Sequence, residues 1–498
     1  MRNNILLICS LILFISVGFS QSKVLKVLDD IELTDSGVML DNNNSANGYY
    51  FFYEADKVSR KEREFIVKIL DQNLNEVLSK TFIESRSSYV MQAKYNNQEL
   101  MFLMYNNDDH KFIFYTLDKE GNLNKVHEYE EGVKNHSIRL NSSPIMGSNL
   151  GFYPIKNKGF LFYLKTKPKK FGYRMDYFAT NGGENWSHVS DEGQHELIEV
   201  LNVGEDGLVF QETIRKKLIG GGYKGYIKVL NPETGEITFQ KEYDQEENSN
   251  QAWNNALIDN DNLFVIGEYW GEGDRVYRDD SKGLFIDKYT FSGEKIFSKK
   301  ISWEDGFTEA FNSLNDEGGR NYLYFHDFIK TNNGHIYAIG EQYRKTLSAR
   351  SLGSSQLTIT DVFFLELDQE FNLVKVTKFD KGKSRVSSDQ VGGNAHIQAM
   401  LMARLGGFDY VFTQIDKQND RFYSVFIDYE RIKGEKNKTA FKAIIYNNGK
   451  LTEDKVYLDK ENSVERTAKA AKMGYVLLVD DDKKNKEVKL HLEKLNIE

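Results

Sequence analysis

An all-β ring of four-stranded blades, a β-propeller, is the fold class this sequence predicts, and three observations predict it. One hairpin pattern, typified by EFIVKILDQNLNEVLSKTF (64–82), recurs at 111–129, 225–243, 283–301, 362–380 and 440–458, with a looser copy at 172–189. Each copy is preceded by a second hairpin of alternating apolar strands with Asn, Asp or Gly at the bend, the local grammar of a β-hairpin. The chain's ends also complement one another. Residues 23–33 form a spare strand before the first unit, and 486–498 end the last unit without a fourth strand. Repeating such units around an axis leaves no long sheet edge exposed, which an open stack of sheets cannot achieve.

Taken in order, the first twenty residues read as a secretory signal peptide. Arg2 is followed by the apolar run Ile5–Val17, too short to span a bilayer, and then by small residues that place cleavage after Ser20. Four-strand units then begin near Asp35, Arg86, Ser137, Gln194, Ser249, Asn321, Gln390 and Ser463. This gives eight blades in one domain (21–498), or seven if 137–192 does not form a complete unit. Pairing of 23–33 with the C-terminal blade closes the ring. The segment 394–405 has apolar residues at helical spacing, yet its place before LGGFDYVF predicts an inner strand.

Composition bounds what the chain can do. Cys9 is the only cysteine and leaves with the signal peptide, so disulfides, cysteine nucleophiles and thiolate metal sites are excluded from the mature chain. The mature chain has 64 basic against 74 acidic side chains, a net charge of −10, which argues against a general nucleic-acid binder. No later apolar run has spanning length, so no membrane span is expected.

Ala179-Thr180-Asn181-Gly182-Gly183-Glu184-Asn185-Trp186 resembles the Asp-box (BNR-type) turn of sialidase-like secreted propellers, Ser-x-Asp-x-Gly-x-Thr-Trp. Gly183 and Trp186 match, Ala179 and Asn185 depart, and Asn181 replaces the aspartate. The resemblance implies a turn between outer strands with the Trp packed into the blade, and it bears on fold alone. The Arg-Ile-Pro sequence of sialidases is absent, so no sialidase activity is implied. The whole chain resembles the uncharacterised secreted propeller-like proteins of Bacteroidota in its leader ending before Gln21, its Asn/Lys/Tyr/Phe-rich composition and its irregular blades.

Local catalytic motifs do not emerge. The nine histidines are scattered with no H-x-H or H-E-x-x-H spacing, and Gly220-Gly221-Gly222 lacks the Lys-Ser/Thr of a phosphate loop. Asp108-Asp109 and Asp480-Asp481-Asp482 are expected at solvated bends. Calcium is conceivable there, but the D-x-D-x-D-G loop is missing, so no cofactor is expected.

Connectivity is more informative. With strands lettered a to d from the axis outward, the a–b and c–d turns are short and share one face. The long b–c and d–a connections share the other, and loops on a rigid scaffold are where binding tends to reside. The b–c connections KTKPKK (165–170), RKKLIGGGYK (215–224), GDRVYR (273–278), YRKTLSAR (343–350) and 421–438 are basic and aromatic. They nominate Arg215, Tyr223, Arg275, Tyr277, Arg278, Tyr343, Arg344 and Arg350 for a protein or glycan partner, possible anionic polymers included. Acidic d–a crossovers on the same face (191–196, 244–248, 303–319) offset that excess, and both sets also read as ordinary solvated loops. Gln92, Trp253, Asn254 and His396 are candidates for the axial channel wall, where polar side chains meet water or a ligand. The leading reading is a secreted or periplasmic, non-enzymatic binding protein. The alternative is a carbohydrate-active hydrolase or lyase with Asp244, Glu246, Glu304 and Asp305 as its first acids.

Overall fold

The structure, a computed structural model, describes residues 32–130, 150–167, 169–180, 182–217, 223–242, 250–259, 262–275, 278–304, 321–347, 355–388, 394–430, 438–458 and 464–497. Their strands pair antiparallel in chain order into eight sheets: 32–85, 88–130, 150–189, 195–242, 251–302, 322–379, 410–458 and 464–494. The molecule is an eight-bladed β-propeller. Seven blades have four strands along this path, and blade 8 has three among the described residues. The pairing expected for 23–33 lies outside the described residues apart from Glu32 and Leu33, which pair with Glu54 and Tyr53 inside blade 1.

The sequence pattern follows from each strand's neighbours. Middle strands are covered on both faces by adjacent blades and therefore read as continuous apolar runs. Leu100–Asn106 and Gly159–Thr166 are buried throughout. Outer strands have one wet face and alternate, as in Leu123–Glu130. Packed apolar layers lie between all consecutive blades. The layer that closes the ring joins Tyr49, Phe51 and Leu74 of blade 1 to Leu477, Val488 and Leu490 of blade 8. Polar bonds reinforce this seam: Ala46 N–H donates to Ala471 O at 3.3 Å, and Lys469 Nζ donates to Ser36 O at 2.6 Å.

The c–d turns explain the recurring hairpin. In DQNLN, Asp71 accepts the N–H groups of Asn73 and Asn75, each at 2.8 Å, and the Asn75 amide at 2.8 Å. The same geometry recurs at Asp118–Asn122 and Asp368–Asn372. The residue before each closing Asn is left-handed: Leu74 (φ 67°), Gly121 (φ 85°) and Phe371 (φ 58°). Leu74 and Phe371 bear that strain because their side chains are buried in inter-blade layers.

Three expectations need correction. The segment Ala395–Arg404 is a helix, α1, and not an inner strand. Asn394 caps it, accepting from Ile397 N–H at 3.0 Å, its interior is rich in Ala, Met, Leu and Gln, and Gly406 (φ 69°) follows its end. The inner strand of blade 7 is instead Tyr410–Asp416, so 421–430 is a b strand and not a connection. Asp480, Asp481 and Asp482 are buried at the end of a b strand, not at a solvated bend. Asp480 is engaged by Arg466 Nε at 2.8 Å, and Asp482 caps the following turn through Lys484 N–H and Asn485 N–H.

Candidate functional site

Six inner strands carry a β-bulge at the same level, between Leu33/Asp35, Val90/Gln92, Val200/Asn202, Trp253/Asn255, Phe325/Asp327 and Tyr410/Phe412. A bulge re-aims the side chain beside it. At this level the residue after the bulge reaches to the next blade. Asp35 accepts from Ala93 N–H, Asn202 Nδ2 donates to Ala256 O at 2.7 Å, and Asp327 bonds with the Thr413 side chain. Ala93, Ala256 and Thr413 each lie one residue beyond the post-bulge position of their own strand. Most polar residues of this ring therefore stitch blade to blade.

Between the bulges and the a–b turns lies a cavity of about 690 Å³ on the axis, walled by inner strands of blades 1, 2, 3, 4, 7 and 8. Asp35 of blade 1 lies between Lys94 of blade 2 and Lys469 of blade 8, all three half-buried. Burial pushes the Asp35 carboxyl up to about 6, against the pull of Lys469, the Ser36 N–H and Lys94. Burial lowers Lys94, with Asp35 opposing. It also lowers Lys469, where Asp35 opposes and Lys94 adds to the fall. The three groups thus act on each other's charge. Lys156 stands at the rim with Glu205 and Asp206, the last two exposed on the a–b turn of blade 4.

Of the predicted channel residues, Gln92 lines this cavity. Trp253 does not, because it is buried in the apolar layer between blades 4 and 5. Asn254 is the extra residue of a bulge and is exposed. His396 is on α1 and is buried at the junction of blades 5 and 6. There Ser281 N–H donates to its Nε2 at 3.1 Å, so the ring proton is on Nδ1, which is 3.0 Å from both Glu268 Oε2 and Tyr343 OH.

The loop candidates are dispersed. Arg215 and Tyr223 pair across the b–c hairpin of blade 4, with Arg215 half-buried. Arg275 and Arg278 are exposed, and Arg275 Nε is 4.0 Å from Asp279. Tyr343 is not on a loop. It lies in a b strand extended to Leu347 and is buried against α1, while the adjoining Arg344 is half-buried. Lys165, at the start of another expected basic loop, is buried in a b strand, where burial and Arg404 push it down to about 8. Glu304 is exposed. Tyr277, Arg350, Asp244, Glu246 and Asp305 lie outside the described residues.

Helix α1 lies on the face of the long connections. Asn394 Nδ2 donates to Asp279 O of blade 5 at 2.7 Å, and at the other end Arg404 ion-pairs with Glu199 on the inner strand of blade 4. Among the described residues no cluster of three or more metal-ligating side chains occurs, and no helix is long and apolar enough to cross a membrane.

Residues 1–496 match a family of unknown function, DUF6770. The chain belongs to the DUF6770 family. No curated protein matches this family member. Among solved structures, this DUF6770 chain is similar to the WD40 domain of SCAP from fission yeast, at 7% identity and a TM-score of 0.38, over 95% of this chain and 98% of that one. It is also similar to the β-propeller domain of the Trilobed protease from Pyrococcus furiosus, at 10% identity and a TM-score of 0.34, over 75% and 98%. Prolyl oligopeptidase B from Galerina marginata gives 10% and 0.32, over 85% and 54%. The DUF6770 fold stated above rests on strand pairing and inter-blade packing, independently of these likenesses.

The cavity charges are not among the residues the sequence nominates, although it carries a signal for them. Gln92 and Lys94 sit two apart in YVMQAKY and alternate with the buried Ala93 and Tyr95. The period of two puts them on one face of the strand.

Proposed function

We propose that this protein is a secreted or periplasmic, non-enzymatic binding propeller that needs no cofactor and engages a protein or glycan partner on the face of its long connections. The observation that carries the reading is the asymmetry of the two faces. It is clearest at blade 5, where two residues separate strands a (Gln251–Asp259) and b (Asn262–Tyr269) and four separate c (Gly283–Thr290) from d (Lys295–Ser302), whereas thirteen separate b from c and nineteen separate d from the next inner strand at Tyr322. The scaffold beneath is fixed by inter-blade layers, and rigid support under variable loops favours recognition. Exposed Arg275 and Arg278 supply cationic contacts on that face. The leader-like residues 1–20 support export.

The test is a thermal-shift screen of the chain from Gln21 against anionic and neutral polysaccharides and acidic peptides, with and without calcium. An anionic polymer should raise the melting temperature, and Arg275→Ala with Arg278→Ala should reduce the rise by about half or more. A melting temperature unmoved by every one of these probes would reject this face as a binding surface for them.

A further inference from the structure

We propose that the axial cavity is a binding site for a small organic monocarboxylate, held between Lys94 and Lys469. The charge count is the first argument. Lys156 and the exposed Glu205 and Asp206 at the rim make the lining as a whole neutral, but around Asp35 itself two ammonium groups, Lys94 and Lys469, face one carboxylate, and no ion pair within 4 Å involves Lys94 among the described residues. Lys469 spends one of its three donors on Ser36 O at 2.6 Å. Excess positive charge withdrawn from bulk water is costly unless an anion accompanies it. One monoanion balances the excess, whereas a phosphate dianion would overshoot it and meet Asp35 at close quarters.

Shape is the second argument. About 690 Å³ falls within the range of small-molecule sites and exceeds what a carboxylate alone would fill. The remaining wall is mixed. Gln92 offers an amide, and Met91, Val411 and Phe412 offer apolar surface. The cavity therefore leaves room beside the carboxylate for a small body that is polar toward Gln92 and apolar toward Met91 and Phe412. Burial lowers both lysines, and Asp35 is the one carboxylate that opposes this for each of them. The lining runs from the bulges to the a–b turns, away from the long connections. Success or failure here is thus independent of the partner surface proposed above.

The experiment is calorimetric titration of the chain from Gln21 with sodium glucuronate and sodium lactate. Glucose, inorganic phosphate and sodium chloride at matched ionic strength serve as controls. Glucuronate or lactate should bind, while glucose and chloride should give no saturable heat. Lys94→Met and Lys469→Met should each weaken binding about tenfold or more. Asp35→Asn, which removes the competing charge and keeps the shape, should strengthen it about tenfold, and this holds the test open even if a lysine variant fails to fold. The proposal is overturned if neither carboxylate binds, if phosphate binds tighter than both, or if Asp35→Asn leaves the affinity unchanged.

Discussion

At the junction of blades 6 and 7 one ammonium serves two carboxylates, and on the axis two ammoniums serve one. In the first place Lys381, with no side-chain exposure, lies 3.1 Å from Glu341 Oε1 and against Asp409. Glu341 Oε1 has only the Lys381 ion pair, and further groups of the protein meet the other oxygens. His326 Nε2 is 3.1 Å from Glu341 Oε2, Tyr410 N–H donates to the same oxygen at 2.9 Å, and Ser384 Oγ donates to Asp409 at 2.6 Å. Burial pushes Glu341 up, but Lys381 and His326 more than reverse it, while Asp409 stays raised. A closed network of this kind fixes the seam between two blades. The axial trio of Asp35, Lys94 and Lys469 is open to a cavity and has one more ammonium than carboxylate, the balancing acids Glu205 and Asp206 standing exposed at the rim. Neither stands out in sequence: Asp35, Lys94, Lys469 and Glu341 are charged residues inside strands, and Lys381 and Asp409 lie just outside them. What separates them is whether the protein itself completes the coordination.

The largest effect should come from opening the closed cluster. Lys381→Met leaves two carboxylates facing each other in a dry seam, and about 3–5 kcal/mol of stability should be lost at pH 7. Urea unfolding followed by tryptophan fluorescence measures this directly. Acidification should return part of the loss, because protonating Glu341 and Asp409 removes the repulsion. A variant as stable as the parent at pH 7 would mean that the network does not hold the blades.

Next comes the ring of post-bulge residues, where Asp327 occupies the position that blade 4 gives to Asn202. Burial pushes Asp327 up to about 6, although Phe328 N–H, His326, Thr413 and Tyr410 all lower it. Its folded value lies above the unfolded one, so folding takes up protons and stability falls as pH rises from about 4 to about 6. Above that window the whole cost is present. Asp327→Asn keeps the stitch to Thr413 and should raise stability at pH 7 by about 1–2 kcal/mol, discounted because the side chain is half-buried, with no difference at pH 3. Parallel parent and variant curves across pH 3–7 would contradict this origin of the shift. Smaller still is the repeated turn. Asp71→Ala removes three bonds that hold Leu74 left-handed and should cost about 1 kcal/mol, read from the same unfolding curves.

How far these features were legible in sequence depends on what each needs. Strand alternation and the Asp-x-x-x-Asn turn act within twenty residues, so the eight units and most of their starts could be read directly. Helix α1 is not legible from its apolar spacing, because Ile397, Met400, Leu401 and Leu405 fit a buried strand context as well as a helix. The Asn394 cap and the Gly406-Gly407 stop were the better signals. The burial of Trp253 and Tyr343 is not legible either, because residue type reports size and polarity but not which blade will cover a face. Asp35, Lys94 and Lys469 are brought together from blades 1, 2 and 8 only when the ring closes, and no local pattern encodes that meeting.

The smallest predicted effect is the one that most sharpens the contrast. In ligand-free buffer, Lys94→Met should change stability by less than about 1 kcal/mol, and in the stabilising direction if at all. It removes the surplus ammonium, leaves Asp35 with Lys469 as a balanced pair, and adds apolar surface beside Met91. The same chemical change therefore has opposite consequences in the two clusters, several kcal/mol lost at Lys381 and almost nothing at Lys94. Unfolding both variants side by side tests this without knowledge of any ligand. If Lys94→Met destabilises as much as Lys381→Met, the axial lysine is a structural partner after all, and the cavity carries no spare charge with which to hold an anion.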